Sequence, residues 1–201
     1  ELKQVNIKTR SLSNSIIEYP LYAYVFKENG DFLLYLKIKS SNDSIKFNFG
    51  KGTYKIVTIS NCGDDYTLNE KPSINDVIKL KSETSKYSNK SLMMGISSVT
   101  LDNKNINVDL NMSYCVSSVQ VELYGIPSNT KKVKFTMSPI YNSISYNNEY
   151  QKSTNGDELT LECYLGIDGV WKAGPVYIFP GYGENSTFKI IFEKESSINT
   201  Y

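Results

Sequence analysis

The chain has 201 residues, a formal net charge of +1 and no histidine. Its acidic and basic residues are interspersed and form no concentrated basic stripe, which argues against nucleic acid as a partner. The lack of histidine removes the commonest general base and the commonest metal ligand. The 16 tyrosines, 8 phenylalanines and 12 glycines favour strands and turns over helices.

The first half of the chain consists of short apolar runs separated by turns. Leu2, Val5 and Ile7 give a weak alternation that predicts a first strand in a polar context. The Asn29-Gly30 dipeptide is a strong signal for a β-hairpin between the two runs that flank it. The further runs that predict strands in this half are 21–26, 32–38, 45–49 and 54–59.

Residues 92–126 organise the rest of the chain. They hold successive apolar alternations with the two-residue period of a strand, in which side chains point alternately to opposite faces of a sheet. We expect most of the aliphatic side chains on one face to be buried, namely Ile106, Val108, Leu110, Val119, Val121 and Leu123. We also predict that a first β-domain spans residues 1–110 and a second spans 111–201, with the crossing near Asn111.

Strand patterns continue to the end of the chain, so the predicted fold class is all-β. The spacing of turn signals is typical of β-sandwiches. By contrast, residues 141–157 are rich in Tyr, Asn and Ser and indicate a loop or an exposed edge. The alternating runs of the second half are 133–137, 159–165, 176–179 and 188–192.

No motif for catalysis, a metal or a cofactor emerges from the residues. Without histidine an ordinary Ser-His-Asp triad cannot form. Cys62, Cys115 and Cys163 are widely spaced and have no Cys/His spacing typical of zinc. We expect buried free thiols, particularly at Cys115 and Cys163, with one disulfide and a leftover thiol as the alternative. The sequence therefore predicts a protein that is not an enzyme and has no cofactor.

The aromatic residues offer a candidate binding surface. Tyr141, Tyr146 and Tyr150 cluster in one polar stretch, and Trp171 follows a turn. Exposed aromatic rings can stack on sugars, so these four residues are candidate glycan contacts. The alternative, which we favour, is that the rings cover the ends of a sandwich as ordinary core and rim.

The order of segments resembles the fimbrillin superfamily of Bacteroidales-type surface fimbriae. The segments that carry the likeness are YAYVFKENGDF, FNFGKGTYKIVTIS, SLMMG and SSVQVELYGIP. The chain departs from the family at Tyr114-Cys115, where members commonly have an Arg, and it stops at Tyr201, where relatives usually continue.

The resemblance implies a fold, a location and partners. Members have two transthyretin-like (Greek-key) β-sandwich domains in tandem and mature as lipoproteins at the outer membrane and cell surface. They assemble by adding a strand of one subunit to an open sheet of the next. The partners implied are other fimbrial subunits and surface ligands of host or bacterial origin. The chain begins at Glu1 without Met, so we expect a leader with its lipid anchor to have been removed.

The resemblance also singles out residues. Leu2, Val5 and Ile7 would anchor a strand for exchange, and Arg10 is a candidate processing site. A second apolar strand at 188–192 is expected to be held in the second domain. Asp43-Ser44-Ile45 resembles a surface O-glycosylation acceptor, which makes Ser44 a candidate, with a chance match as the alternative. The predicted function is a non-catalytic fimbrial subunit or cell-adhesion protein. The alternative is a surface glycan-binding lipoprotein module.

Overall fold

The computed structural model of the protein describes residues 2–12, 15–41, 43, 45–82, 84, 86–152, 156–181 and 185–194. Within these ranges the regular structure is entirely β, which confirms the predicted fold class. The strands are β1 Lys3–Ser11, β2 Leu21–Lys27, β3 Phe32–Ile38, β4 Ile45–Phe49, β5 Gly52–Ser60, β6 Tyr66–Thr67, β7 Val77–Leu80, β8 Met93–Leu101, β9 Ile106–Tyr114, β10 Ser117–Leu123, β11 Thr130–Ile140, β12 Ser143–Ser145, β13 Tyr150–Gln151, β14 Asp157–Leu165, β15 Trp171–Ile178 and β16 Thr187–Lys194.

The first sheet has seven strands in the order β3-β2-β5-β8-β9-β1-β4. Strands β8 and β9 pair only where Met93 and Met94 face Tyr114 and Ser113, so the sheet folds over at that point. Buried side chains from both halves of the folded sheet then form one core, which includes Val5, Ile7, Val25, Phe47 and Leu110. The predicted hairpin at Asn29-Gly30 is confirmed, because β2 and β3 pair antiparallel on either side of it.

A four-stranded sheet, β13-β12-β7-β6, covers the other face of the first sheet. Here Tyr24 and Phe26 of β2 and Val57 and Ile59 of β5 pack with Ile78 of β7 in a second core. Strands β2 and β5 are therefore buried on both faces. This explains why their sequences are nearly continuous apolar runs and not clean alternations.

The third sheet has five strands in the order β10-β15-β14-β11-β16. Strands β14 and β15 pair only beside their connecting turn, at Tyr164–Lys172 and Leu165–Trp171, so the two layers separate beyond that point. The separated layers enclose a third core that contains Val133, Phe135, Leu161 and Trp171.

The predicted burial of aliphatic side chains in residues 92–126 holds for only some of them. Val108, Leu110 and Val121 are buried, whereas Ile106, Val119 and Leu123 pack against a core but stay partly exposed. Strand β9 passes through Asn111 without a break, because β1 pairs with it as far as Met112. The change from the first sheet to the third falls between Tyr114 and Ser117. The domain division at residues 110 and 111 stays a prediction.

Gly95 lies where the folded sheet brings β8 against β9. A methyl group at Gly95 would overlap the side chain of Leu110 and lie 2.8 Å from the carbonyl oxygen of Asn111. We expect Gly95→Ala to lower the free energy of unfolding by about 1–3 kcal/mol, the usual cost of overpacking. Urea denaturation measures it, with Gly50→Ala as the control, since nothing lies within 4 Å of a methyl group at Gly50. Equal costs at the two positions would contradict the close approach.

Candidate functional site

The N-terminal strand is held more firmly than its weak alternation predicts. Val5 and Ile7 are only 1% and 6% exposed, while Leu2 lies outside the strand and is exposed. Strand β1 pairs parallel with β9 along one edge and antiparallel with β4 along the other. Strand β1 is therefore an interior strand of the sheet, and its displacement must break hydrogen bonds at both edges. A role for β1 in exchange stays a prediction.

Arg10 is the single arginine of the chain and lies next to the end of β1. Its side chain is 62% exposed and forms an ion pair with Asp109 of β9. An exposed pair of this kind contributes little to stability. The neighbouring backbone is paired with β9, so a protease would reach it only after the end of the strand opens. Processing at Arg10 stays a prediction.

An open groove of about 790 Å³ lies between β10 and β16, the two end strands of the third sheet. Strand β10 contributes Val119 and Val121 to the lining, and β11 contributes Phe135 and Met137. Phe188 of β16 closes the opposite side. The groove thus gives a solvent opening to the apolar interior of the third sheet.

Strand β16 is unusually exposed for its composition. It is paired with β11, as expected of a strand held in the second half, but every one of its residues is exposed. Phe188, Ile190 and Phe192 face Met137, Phe135 and Val133 across the ladder, so they lie on the core side of the sheet. Their exposed fractions are 62%, 42% and 43%. Among the described residues no strand covers this part of the core side.

The aromatic candidates divide into two groups. Tyr146 is 0% exposed and Trp171 is 8% exposed, so neither ring has a free face for a sugar. These two residues are core residues, as the favoured alternative expects, and their burial contradicts the candidate glycan role. Tyr141 and Tyr150 are partly exposed and meet edge to face, with ring centroids 6.4 Å apart. A glycan contact at these two residues stays a prediction.

The burial of Tyr146 follows from a hairpin that the sequence did not reveal. Strand β12, with Ser143 and Ser145, is fully buried in a stretch predicted to be a loop or an exposed edge. Strands β7 and β13 pair with it and satisfy its backbone. The Tyr146 hydroxyl accepts a hydrogen bond from the Asn69 amide at 3.0 Å, and burial raises its pKa. No sequence signal marks this packing, because small serines replace the expected aliphatic residues.

Ser44, the candidate glycosylation site, lies outside the described residues. Its neighbour Asp43 is exposed and its carboxylate accepts hydrogen bonds from the amides of Lys39 and Ser40. Ile45 is buried and begins β4, so the predicted start of a strand is confirmed there.

The cysteines and the candidate metal ligands remain to be placed among the described residues. The three cysteines are buried free thiols, which confirms the favoured expectation and excludes the alternative of a disulfide. Burial raises the pKa of the Cys115 thiol to about 12. No three metal-ligating side chains come together in the described ranges. No helix in those ranges is long and apolar enough to span a membrane.

Comparison with known proteins gives a family match. Residues 5–201 match the family of fimbrillin-A associated anchor proteins Mfa1 and Mfa2. No curated protein matches the chain.

Solved structures with the same fold are also found. A proposed adhesin from Bacteroides ovatus has a TM-score of 0.72 and 15% identity, over 96% of this chain and 74% of that one. The fimbrial anchor protein Mfa2 from Porphyromonas gingivalis has a TM-score of 0.70 and 17% identity, over 94% and 77%. A proposed polysaccharide-binding protein from Bacteroides thetaiotaomicron has a TM-score of 0.64 and 13% identity, over 97% and 77%. At these identities the likeness shows the fold.

Proposed function

Because the chain belongs to the fimbrillin-A associated anchor protein family, we propose that it is a fimbrial or adhesive subunit that joins its neighbours by β-strand addition. Fimbrial and adhesin proteins of this family are associated with the cell surface. In this proposal the chain forms two transthyretin-like sandwiches in tandem, residues 1–110 and 111–201. The outer membrane is the surface to which the subunit is attached.

The observation that carries the proposal is the open groove between β10 and β16. Both are end strands of the third sheet, and among the described residues no strand pairs with their outer edges. An unprotected edge offers backbone N–H and C=O groups to an incoming strand. The exposed Phe188 offers an apolar contact in the groove, and Ile190 and Phe192 continue the exposed apolar row along β16.

The segment that fits this groove is an extended strand with apolar side chains at alternate positions. In strand addition the backbone bonds provide affinity and the alternate side chains provide register. Residues 2–9 have this form, with Val5 and Ile7 two positions apart, and a neighbouring copy can present them once its β1 has left its own sheet. The proposed partner is therefore another fimbrial subunit that presents such a segment.

A peptide experiment tests strand addition. A fluorescent peptide of residues 2–9 is expected to bind the intact protein saturably, as measured by fluorescence anisotropy. Phe188→Lys should weaken binding at least tenfold, since it places a charge in the apolar groove; Phe188 is already 62% exposed, so the fold should tolerate the change.

The controls distinguish specific binding in the groove from non-specific binding. Ile167→Lys changes the charge equally at a fully exposed turn outside the groove and should leave binding unchanged. A scrambled peptide of the same composition should not bind. Equal binding of the scrambled peptide, or equal loss in both variants, would refute addition at this groove.

A further inference from the structure

A second groove, of about 630 Å³, lies beside the small four-stranded sheet. Three separate parts of the chain meet there: β7 with the residues after it, the β12–β13 hairpin, and the start of β14. It shares none of its lining residues with the groove between β10 and β16. Its lining is rich in lysine, with Lys79, Lys81, Lys86 and Lys152.

The charge of this lysine groove differs from that of the whole chain. Among the described lining residues the single carboxylate is that of Asp157, which forms an ion pair with Lys86 at 3.3 Å. The four lysines and one aspartate of the described lining have a summed formal charge of +3, whereas the complete chain has a net charge of +1. A concave wall of one sign focuses the electrostatic field and raises the local concentration of anions.

The uncharged lining residues supply hydrogen-bonding groups between the lysines. Lys79, Ser143 and Gln151 lie directly opposite one another across neighbouring strands, so their side chains share one face of the sheet. Asn142 and Tyr141 add an amide and a partly exposed phenol to the lining. Amide and hydroxyl groups of this kind can donate to and accept from the hydroxyls of a sugar.

We infer that the lysine groove binds an acidic polysaccharide, with the lysines on its carboxylate or sulfate groups and the amides on its hydroxyls. A nucleic acid fits less well, because the described lining has one aromatic ring, Tyr141, which packs edge to face on Tyr150, and because the whole chain has no basic stripe. The inference does not depend on strand addition, since the two grooves are separate.

Calorimetric titration of the full chain tests this inference. The probes are a sulfated oligosaccharide from heparin, a carboxylated oligogalacturonate, and neutral dextran of similar length. We expect at least one acidic probe to bind at least tenfold more tightly than dextran, with an affinity that falls as salt is added. Binding of only the sulfated or only the carboxylated probe would identify which anion the groove prefers.

Paired substitutions locate the binding. Lys79→Gln with Lys81→Gln, both exposed in the groove, should reduce the affinity for the acidic probe at least tenfold. Lys8→Gln with Lys46→Gln removes the same charge at exposed positions of the first sheet and should change affinity less than twofold. The melting temperature of each double variant checks folding. Equal losses in the two double variants, or no preference over dextran, would overturn the inference.

Discussion

Cleavage after Arg10 is expected to lower the free energy of unfolding of the first half of the chain, because it removes buried side chains from the first core. Because Arg10 is the single arginine, an arginine-specific protease cuts the chain only there and releases residues 1–10. The fragment carries Val5 and Ile7, and full burial of such a side chain contributes about 1.5–3 kcal/mol. The expected loss is therefore about 3–6 kcal/mol from the two side chains, which is comparable to the whole stability of many domains.

The slot left between β4 and β9 exposes two strand edges and an apolar floor. If the protein is a strand-exchanging subunit, a segment of another copy fills the slot and larger species appear. Size-exclusion chromatography with light scattering measures their mass, and thermal unfolding measures the loss of stability.

The control for this experiment is Arg10→Lys. This variant keeps a cation beside Asp109 and resists the arginine-specific protease, so it should remain intact and monomeric under the same treatment. A cleaved wild-type protein that loses residues 1–10, stays monomeric and melts at the original temperature would exclude exchange of β1.

Replacement of Trp171 by Ala is expected to destabilise the third core strongly. Trp171 is 8% exposed and lies opposite Leu123 and Leu165 in the neighbouring strands. Truncation of a buried Trp usually costs about 3–5 kcal/mol, because a large cavity remains. Far-ultraviolet circular dichroism during urea unfolding measures this cost independently of the lost indole fluorescence.

The same variant separates a core role from a binding role for Trp171. Ile167→Ala, in the exposed turn before β15, should change stability by less than about 0.5 kcal/mol. Trp171→Phe should keep much of the stability, since it fills part of the cavity. A stable Trp171→Ala protein that lost a glycan ligand would contradict the burial of this ring and restore it as a contact residue.

Local patterns were sufficient for several elements. The Asn29-Gly30 turn between two apolar runs predicted the β2–β3 hairpin, and the structure confirms it, with Gly30 at a φ of +88°. The clean alternation at 159–165 predicted β14, in which Leu159, Leu161 and Cys163 are buried. These predictions succeed because a turn and the faces of one strand depend on residues close together in the sequence.

The hairpin of β12 and β13 shows where local patterns fail. Its serines and asparagines predict an exposed segment, yet Ser143 and Ser145 are buried. The pairing partner β7 is more than 60 residues away in sequence, so no local window contains the information. The same packing buries Tyr146 and assembles the lysine groove from distant segments.

The amino-acid sequence was thus enough for the all-β class, most strand positions and the family resemblance, because each rests on side-chain period and turn chemistry. Only the tertiary structure showed that β1 lies inside a sheet, that β16 lies exposed at the end of another, and that Trp171 is core. The physical reason is that exposure depends on which distant strands cover a face. The alternation of a strand tells which side chains share a face, but not whether another layer packs against it.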